Sequence, residues 1–188
     1  PNGDILQYPE GDKSAPPSAR MPKDGYYSDT IVRQPPIDDD TLKAEDNLEE
    51  FGPITPGELA YFEAEAKRLY EQTDKAILAN FGGTGFGDIA LVPVPWMKYP
   101  KGIRDIEEWY VSTVARRDHV YKIFERQCEI ALENLAKIHA VVGDRVAAAF
   151  VTGTDFGAQN GLFISLRAYR NLFKPFHKTV NDWIHQHT

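Results

Sequence analysis

From residue 54 onward the apolar positions switch between a helical and a strand period. Thr55-Pro56-Gly57-Glu58 has the form of a helix start: Thr55 caps, Pro56 takes the first helical position and Glu58 reaches back to the cap. Leu59, Phe62, Ala66 and Leu69 then recur at the spacing of one helical face, which predicts a helix to about Gln72. Asp74-Lys75 ends it, and Ala76 to Phe81 predicts a short buried strand running into the glycine-rich stretch Gly82 to Gly87. From Ile103 to Val142 the period is helical again, as two helices meeting near Arg116-Arg117-Asp118, with Asp118 capping the second. Val120, Ile123, Phe124, Ala131, Leu135, Ile138 and Val142 form its apolar stripe, while Lys122, Glu125, Arg126, Glu129 and Glu133 face water. Gly143-Asp144 stops this helix. Val146 to Val151 is wholly apolar, as in a strand buried on both faces of a parallel sheet. After the polar loop Thr152 to Gly161, Ser165 caps a short helix through Leu172 and Phe173, and Pro175 starts another that ends near Thr188.

Residues 1–53 read differently. Pro, Gly and Asp are dense there, and two β-like runs, Ile5 to Tyr8 and Tyr26 to Arg33, predict a loop-rich antiparallel hairpin insertion. The expected division is therefore 1–53 for the insertion and 54–188 for an α/β unit. The order helix, strand, helices, strand, helices predicts parallel pairing, and two strands alone do not finish a parallel sheet.

Charge and composition narrow the partners. Lys plus Arg number 21 against 28 Asp plus Glu, and a net charge of −7 opposes general attraction to nucleic acid or anionic membranes. The longest apolar stretches, Ile89 to Trp96 and Val146 to Val151, fall short of the roughly 20 residues of a membrane helix. The chain opens on Pro1 without a secretory leader, which predicts a piece of a longer protein. Its single cysteine, Cys128, lies in a helical pattern and reads as a small core residue of a reducing, cytoplasmic compartment.

Candidate chemistry lies in the two loops that follow the predicted strands, because loops at the carboxyl ends of parallel strands vary over a packed sheet. The first, with Phe81, Gly82 and Gly83, lets a ligand approach bare backbone; it lacks the Lys-Ser/Thr ending of a P-loop, and from the residues alone a tight strand-to-helix turn is the first reading of it. The second brings Thr154, Asp155, Gln159 and Asn160 within seven residues. Asp155 is the candidate catalytic residue, as a carboxylate able to orient an N–H or accept a proton; the alternative is that it or Thr154 satisfies loop N–H groups. Phe81, Gly82, Gly83, Thr154, Gln159 and Asn160 are the candidate substrate-binding residues. His185 and His187 point to different faces of a helix and are not expected to share a metal. Asp38 to Asp40 reads as a solvated loop, and Trp96, Trp109 and Trp183 as core or packing residues.

The same loops carry a family resemblance. The segment GDRVAAAFVTGTDFGAQNGLFISLRAYRNLFKPFHKTVNDWIHQHT, residues 143–188, resembles the uroporphyrinogen decarboxylase and methylcobamide methyltransferase superfamily. In that superfamily a strand leads to an Asp-x-Gly-x-Gln loop, a Ser or Pro helix start and Lys-Pro-Phe/Tyr. The matching elements here are Asp155, Gly157, Gln159, Ser165 and Lys174-Pro175-Phe176. AILANFGGTGFGDIA, residues 76–90, is similar to the superfamily's Gly-Phe-x-Gly strand-loop, with Phe81 and Gly83 in the matching places.

The resemblance implies a partial (β/α)8 TIM barrel, made of middle β/α units, with its site at the carboxyl ends of the strands and a small-molecule substrate. Corrinoid-linked methyl transfer is the first expectation, with a corrinoid protein as possible partner. The family's zinc site, a His-x-Cys motif with a further Cys, is expected beyond Thr188, so no metal ligand is named in this chain. Decarboxylation of a porphyrinogen, a lyase reaction in porphyrin biosynthesis, ranks second. Such decarboxylases carry a Tyr on the helix after the Gly-Phe-x-Gly loop, where Asp88 to Leu91 stand here. The third expectation is a non-catalytic or truncated relative, and the isolated chain is expected to be inactive.

Overall fold

A computed structural model describes residues 3–187; Pro1, Asn2 and Thr188, where the last helix was expected to end, lie outside the described residues. Helix α1 spans Pro56–Gln72 and has the anticipated capping box: Thr55 Oγ1 accepts from the Glu58 amide at 3.2 Å, and Glu58 Oε2 accepts from the Thr55 amide at 2.8 Å. Strand β4 is Leu78–Ala79, α2 is Ile106–Ala115, α3 is Arg117–Val142 and β5 is Ala148–Ala149. β4 and β5 pair in parallel, Leu78 with Ala148 and Ala79 with Ala149, so the α/β class and the parallel sense hold. The described residues form three small sheets and no closed barrel.

The expected strands at 76–81 and 146–151 shrink to two paired residues each, and neither is buried on both faces. Ala79 and Ala149 are half-buried, whereas Leu78 is 68% and Phe150 47% exposed. Successive strand residues face opposite ways, so one side of the pair packs inward and the other lies open. An apolar run reports affinity for burial, but among the described residues nothing covers that second face.

The core forms around α3. All seven residues of its stripe are buried, and Phe124 lies 5.0 Å from Phe173 and 5.7 Å from Phe86 between ring centroids. Cys128 is buried within it, and burial, with Glu129 adding to it, pushes the thiol up to about 11. α1 lies on the same helix, with Ala66 against Ile138 and Val142. Asp118 is not the cap of α3: Arg116 occupies that place without a side-chain bond, and Asp118 stands in the first turn. Asp105 does cap, its Oδ1 accepting from the Glu108 amide of α2 at 2.9 Å. Gly143, at φ +58°, ends α3 as anticipated.

Ser165 caps the short helix α4, Leu166–Ala168, accepting from the Ala168 amide at 3.1 Å. Pro175 begins no separate helix. A π turn over Tyr169–Phe173 runs directly into α5, Lys174–His187, and the Lys174 amide reaches back five residues to the Tyr169 carbonyl. Proline lacks an N–H and crowds the carbonyl four residues earlier; the widened turn just before it accommodates both.

The first 53 residues differ from a simple hairpin. β1 (Ile5–Gln7), β2 (Ala19–Met21) and β3 (Asp29–Thr30) form an antiparallel meander in which β2 pairs with both neighbours. Tyr26 and Tyr27, read as strand, stand 92% and 86% exposed in the β2–β3 connection. Beyond it Leu48 joins the cluster of Trp109 and Phe124. Arg104, its side chain 3% exposed, grips Glu50 through two bonds of 2.8 and 3.0 Å and donates to the Asp46 carbonyl at 2.9 Å. Among the described residues no helix is long and apolar enough to cross a membrane.

Candidate functional site

The loops that follow β4 and β5 leave the same end of the strand pair and are fastened to each other. Thr84 donates its hydroxyl to the Val151 carbonyl, and Thr154 donates to the Phe86 carbonyl at 3.0 Å. Thr152 and Thr154 share a hydroxyl bond of 2.6 Å, and the Thr154 amide donates to Thr152 Oγ1 at 3.0 Å. Each loop is also held by a side chain from a helix. Gln127 of α3 donates to the Gly83 carbonyl at 2.9 Å, and the Tyr110 hydroxyl of α2 donates to the Asp155 carbonyl at 3.3 Å.

Asp155 stands exposed at this mouth with its carboxylate free of hydrogen bonds among the described residues. Tyr110 is nearby, and burial first, then the charges of Asp155 and Asp88, raise its hydroxyl to about 12. Both carboxylates disfavour a tyrosinate, so Tyr110 remains a proton donor across the physiological range. Asp88 accepts from the Ala90 amide at 3.0 Å through one oxygen, and its other oxygen lies against Gly153. Behind the loops His177 is buried among Phe86, Phe156 and Tyr169, with centroids 5.7 to 6.1 Å away. Its Nε2 has no partner among the described residues, and burial lowers its pKa.

The remaining predicted residues divide. Gln159 and Asn160 connect β6 (Gly157–Ala158) to β7 (Gly161–Leu162) and form the exposed tip of a hairpin. Thr154 is spent on the loop clamp. Phe81, Gly82 and Gly83 line a cleft of about 520 Å³ between the start of α1, the middle of α3 and residues 49–54. Trp96 lines it too and is 43% exposed, contrary to its reading as a packing residue. Asp88 and Tyr110 beside the Asp155 loop, and Trp96 and Gln127 in the cleft, are candidate residues that sequence reasoning missed.

His185 and His187 stay apart from this region. His187 stacks on Trp183 at 4.1 Å and 14°, and His185 lines a separate apolar groove beside β5. Asp39 pairs with Arg116, while Asp38 accepts from the Asp40 amide at 3.1 Å. Among the described residues no three His, Cys, Asp or Glu side chains gather as a metal ion would need. No family model matches the chain, and no curated protein or solved structure matches it significantly.

Proposed function

We propose that this chain is part of an enzyme of the uroporphyrinogen decarboxylase superfamily, contributing middle units of a (β/α)8 barrel, and that the whole protein transfers a methyl group between a small substrate and a corrinoid. The observation that carries this is the clamp of Thr84 and Thr154, which holds two loops at one end of a parallel strand pair with the Asp155 carboxylate left free. A site at the carboxyl ends of parallel strands is where barrel enzymes bind and react. The clamp fixes the loops before substrate arrives, so Asp155 can orient a donor or take a proton without the site reorganising. Zinc would bind a substrate thiolate and keep it nucleophilic at neutral pH in such a reaction, but the described residues do not form its ligand set, and no step is derived through it.

Decarboxylation of a porphyrinogen is the second reading, and one observation favours it. Tyr110 brings a phenol from α2 to the Asp155 loop, supplying from elsewhere in the chain the residue type absent at Asp88 to Leu91. The test uses the full-length protein that contains this chain, incubated with methylcobalamin and a small thiol and, separately, with uroporphyrinogen. Demethylation of the corrinoid, lowered about tenfold or more by Asp155→Asn with the circular dichroism unchanged, is the expected result. Turnover of the porphyrinogen alone selects the second reading. Inactivity towards both sinks the enzyme assignment, and unaltered kinetics in the variant remove Asp155 from the site.

A further inference from the structure

The cleft lined by Phe81, Gly82 and Gly83 has a chemistry of its own. We infer that it binds a flat, uncharged or cationic aromatic molecule carrying an N–H donor, with Trp96 as the stacking surface and Gln127 as the acceptor that reads the N–H. This does not depend on the enzyme reading.

Three observations converge on it. Gln127 is 2% exposed and lines the cleft; its amide nitrogen is committed to the Gly83 carbonyl at 2.9 Å, which leaves its oxygen with no donor among the described residues. Water reaches that oxygen, and a ligand N–H can take the water's place.

Trp96, next, is held on a strained support. Val94 is fully buried at φ +39°, an unfavourable backbone for a β-branched residue, and Arg33 fastens the segment by donating to the carbonyls of Pro93, Val94, Met97 and Lys98. The outcome is a large aromatic ring 43% exposed beside the cleft.

The lining, finally, contains Glu49, Glu50 and Glu58 and no Lys, Arg or His, so it disfavours an anion. Glu50 and Glu49 lean on Arg104 and Lys101 behind the wall, and Glu58 is in the α1 capping box, so these carboxylates are already engaged, while Phe62, Phe81 and Trp96 supply aromatic contact area. Gly82 has no neighbouring atom within 4 Å of where a side chain would begin, so a planar ligand can approach its backbone.

The probes are indole, 1-methylindole and indole-3-acetate, titrated into the 188-residue chain and followed by ligand-observed NMR. Indole is expected to bind saturably, about fivefold more tightly than 1-methylindole, the worth of one neutral hydrogen bond. The anionic indole-3-acetate is expected to bind more weakly than indole. Trp96→Ala should weaken indole about tenfold through lost stacking and burial. Gln127→Met should abolish the preference for indole over 1-methylindole; a purely structural effect would weaken both alike. Because Gln127 also supports Gly83, the wild-type ratio and the surface variant Trp96→Ala decide the matter if that variant does not fold. No indole binding, equal binding of the two indoles by the wild type, or affinity unmoved by Trp96→Ala overturns the inference.

Discussion

Arg33 donates to the Val94 carbonyl at 3.0 Å, and this bond ties the N-terminal segment to a residue that holds an unfavourable φ of +39°. Four carbonyls converge on that one guanidinium, whose fork of donors a lysine cannot reproduce. Arg33→Lys is therefore expected to destabilise the protein by about 2 kcal/mol and Arg33→Ala by rather more, as buried carbonyls lose their donors. Urea unfolding followed by tryptophan emission measures both. A native spectrum and an unshifted midpoint in Arg33→Ala would show the segment to be self-supporting.

Gly87 concerns the junction of the first loop with the core. A Cβ there would stand 3.0 Å from the rings of Phe124 and Phe173 and 3.1 Å from the indole nitrogen of Trp109, and the backbone has φ +62°. Gly87→Ala should cost about 2–4 kcal/mol by overpacking and backbone strain together. Gly82→Ala, at φ +75° with open space around it, should cost only the strain of about 1–2 kcal/mol. Equal midpoint shifts for the two in denaturant would show that the crowded rings yield easily.

Protonation of His177 gives a pH dependence whose sign is fixed by its surroundings. Burial holds its folded pKa below the ordinary value, so in the intermediate range the unfolded chain binds the proton more readily. The neutral ring contributes its stability above about pH 6.5, the unfolded value, and that contribution is lost as pH falls through the folded pKa. His119 is lowered too, by burial and then by Lys122 and Arg116, and adds in the same direction. His177→Leu forfeits no hydrogen bond at Nε2 and should flatten part of the acid limb when unfolding free energies are compared at pH 7.5 and 5. An identical drop in variant and wild type would assign the acid limb to other groups.

The helical part of this architecture was legible because local signals decide it. Thr55, Pro56 and Glu58 form a cap whatever surrounds them, and the stripe from Val120 to Val142 has one way to meet a core. Strand limits were not legible. Pairing at Ala148 is fixed by a partner seventy residues away, and among the described residues β5 pairs with β4 alone. β2 was hidden because its short run follows Pro16-Pro17 and carries Arg20 at its centre, which masks any apolar alternation. The loop pair was foreseen from strand ends and glycines, yet Tyr110 was not, since its place on α2 shows nothing of Asp155 forty-five residues on. Gln127 did leave a signal: it is a polar residue between Phe124 and Ala131, on the side of α3 that is otherwise apolar.

The chain's only thiol is sealed in the core and raised to about 11, so maleimides and other alkylating reagents should leave it untouched while the fold persists. A cysteine introduced at Gln159, on the hairpin tip, can then carry a fluorophore or spin label without a cysteine-free background being made first. The loop carrying Asp155 thereby becomes accessible to distance measurements in solution.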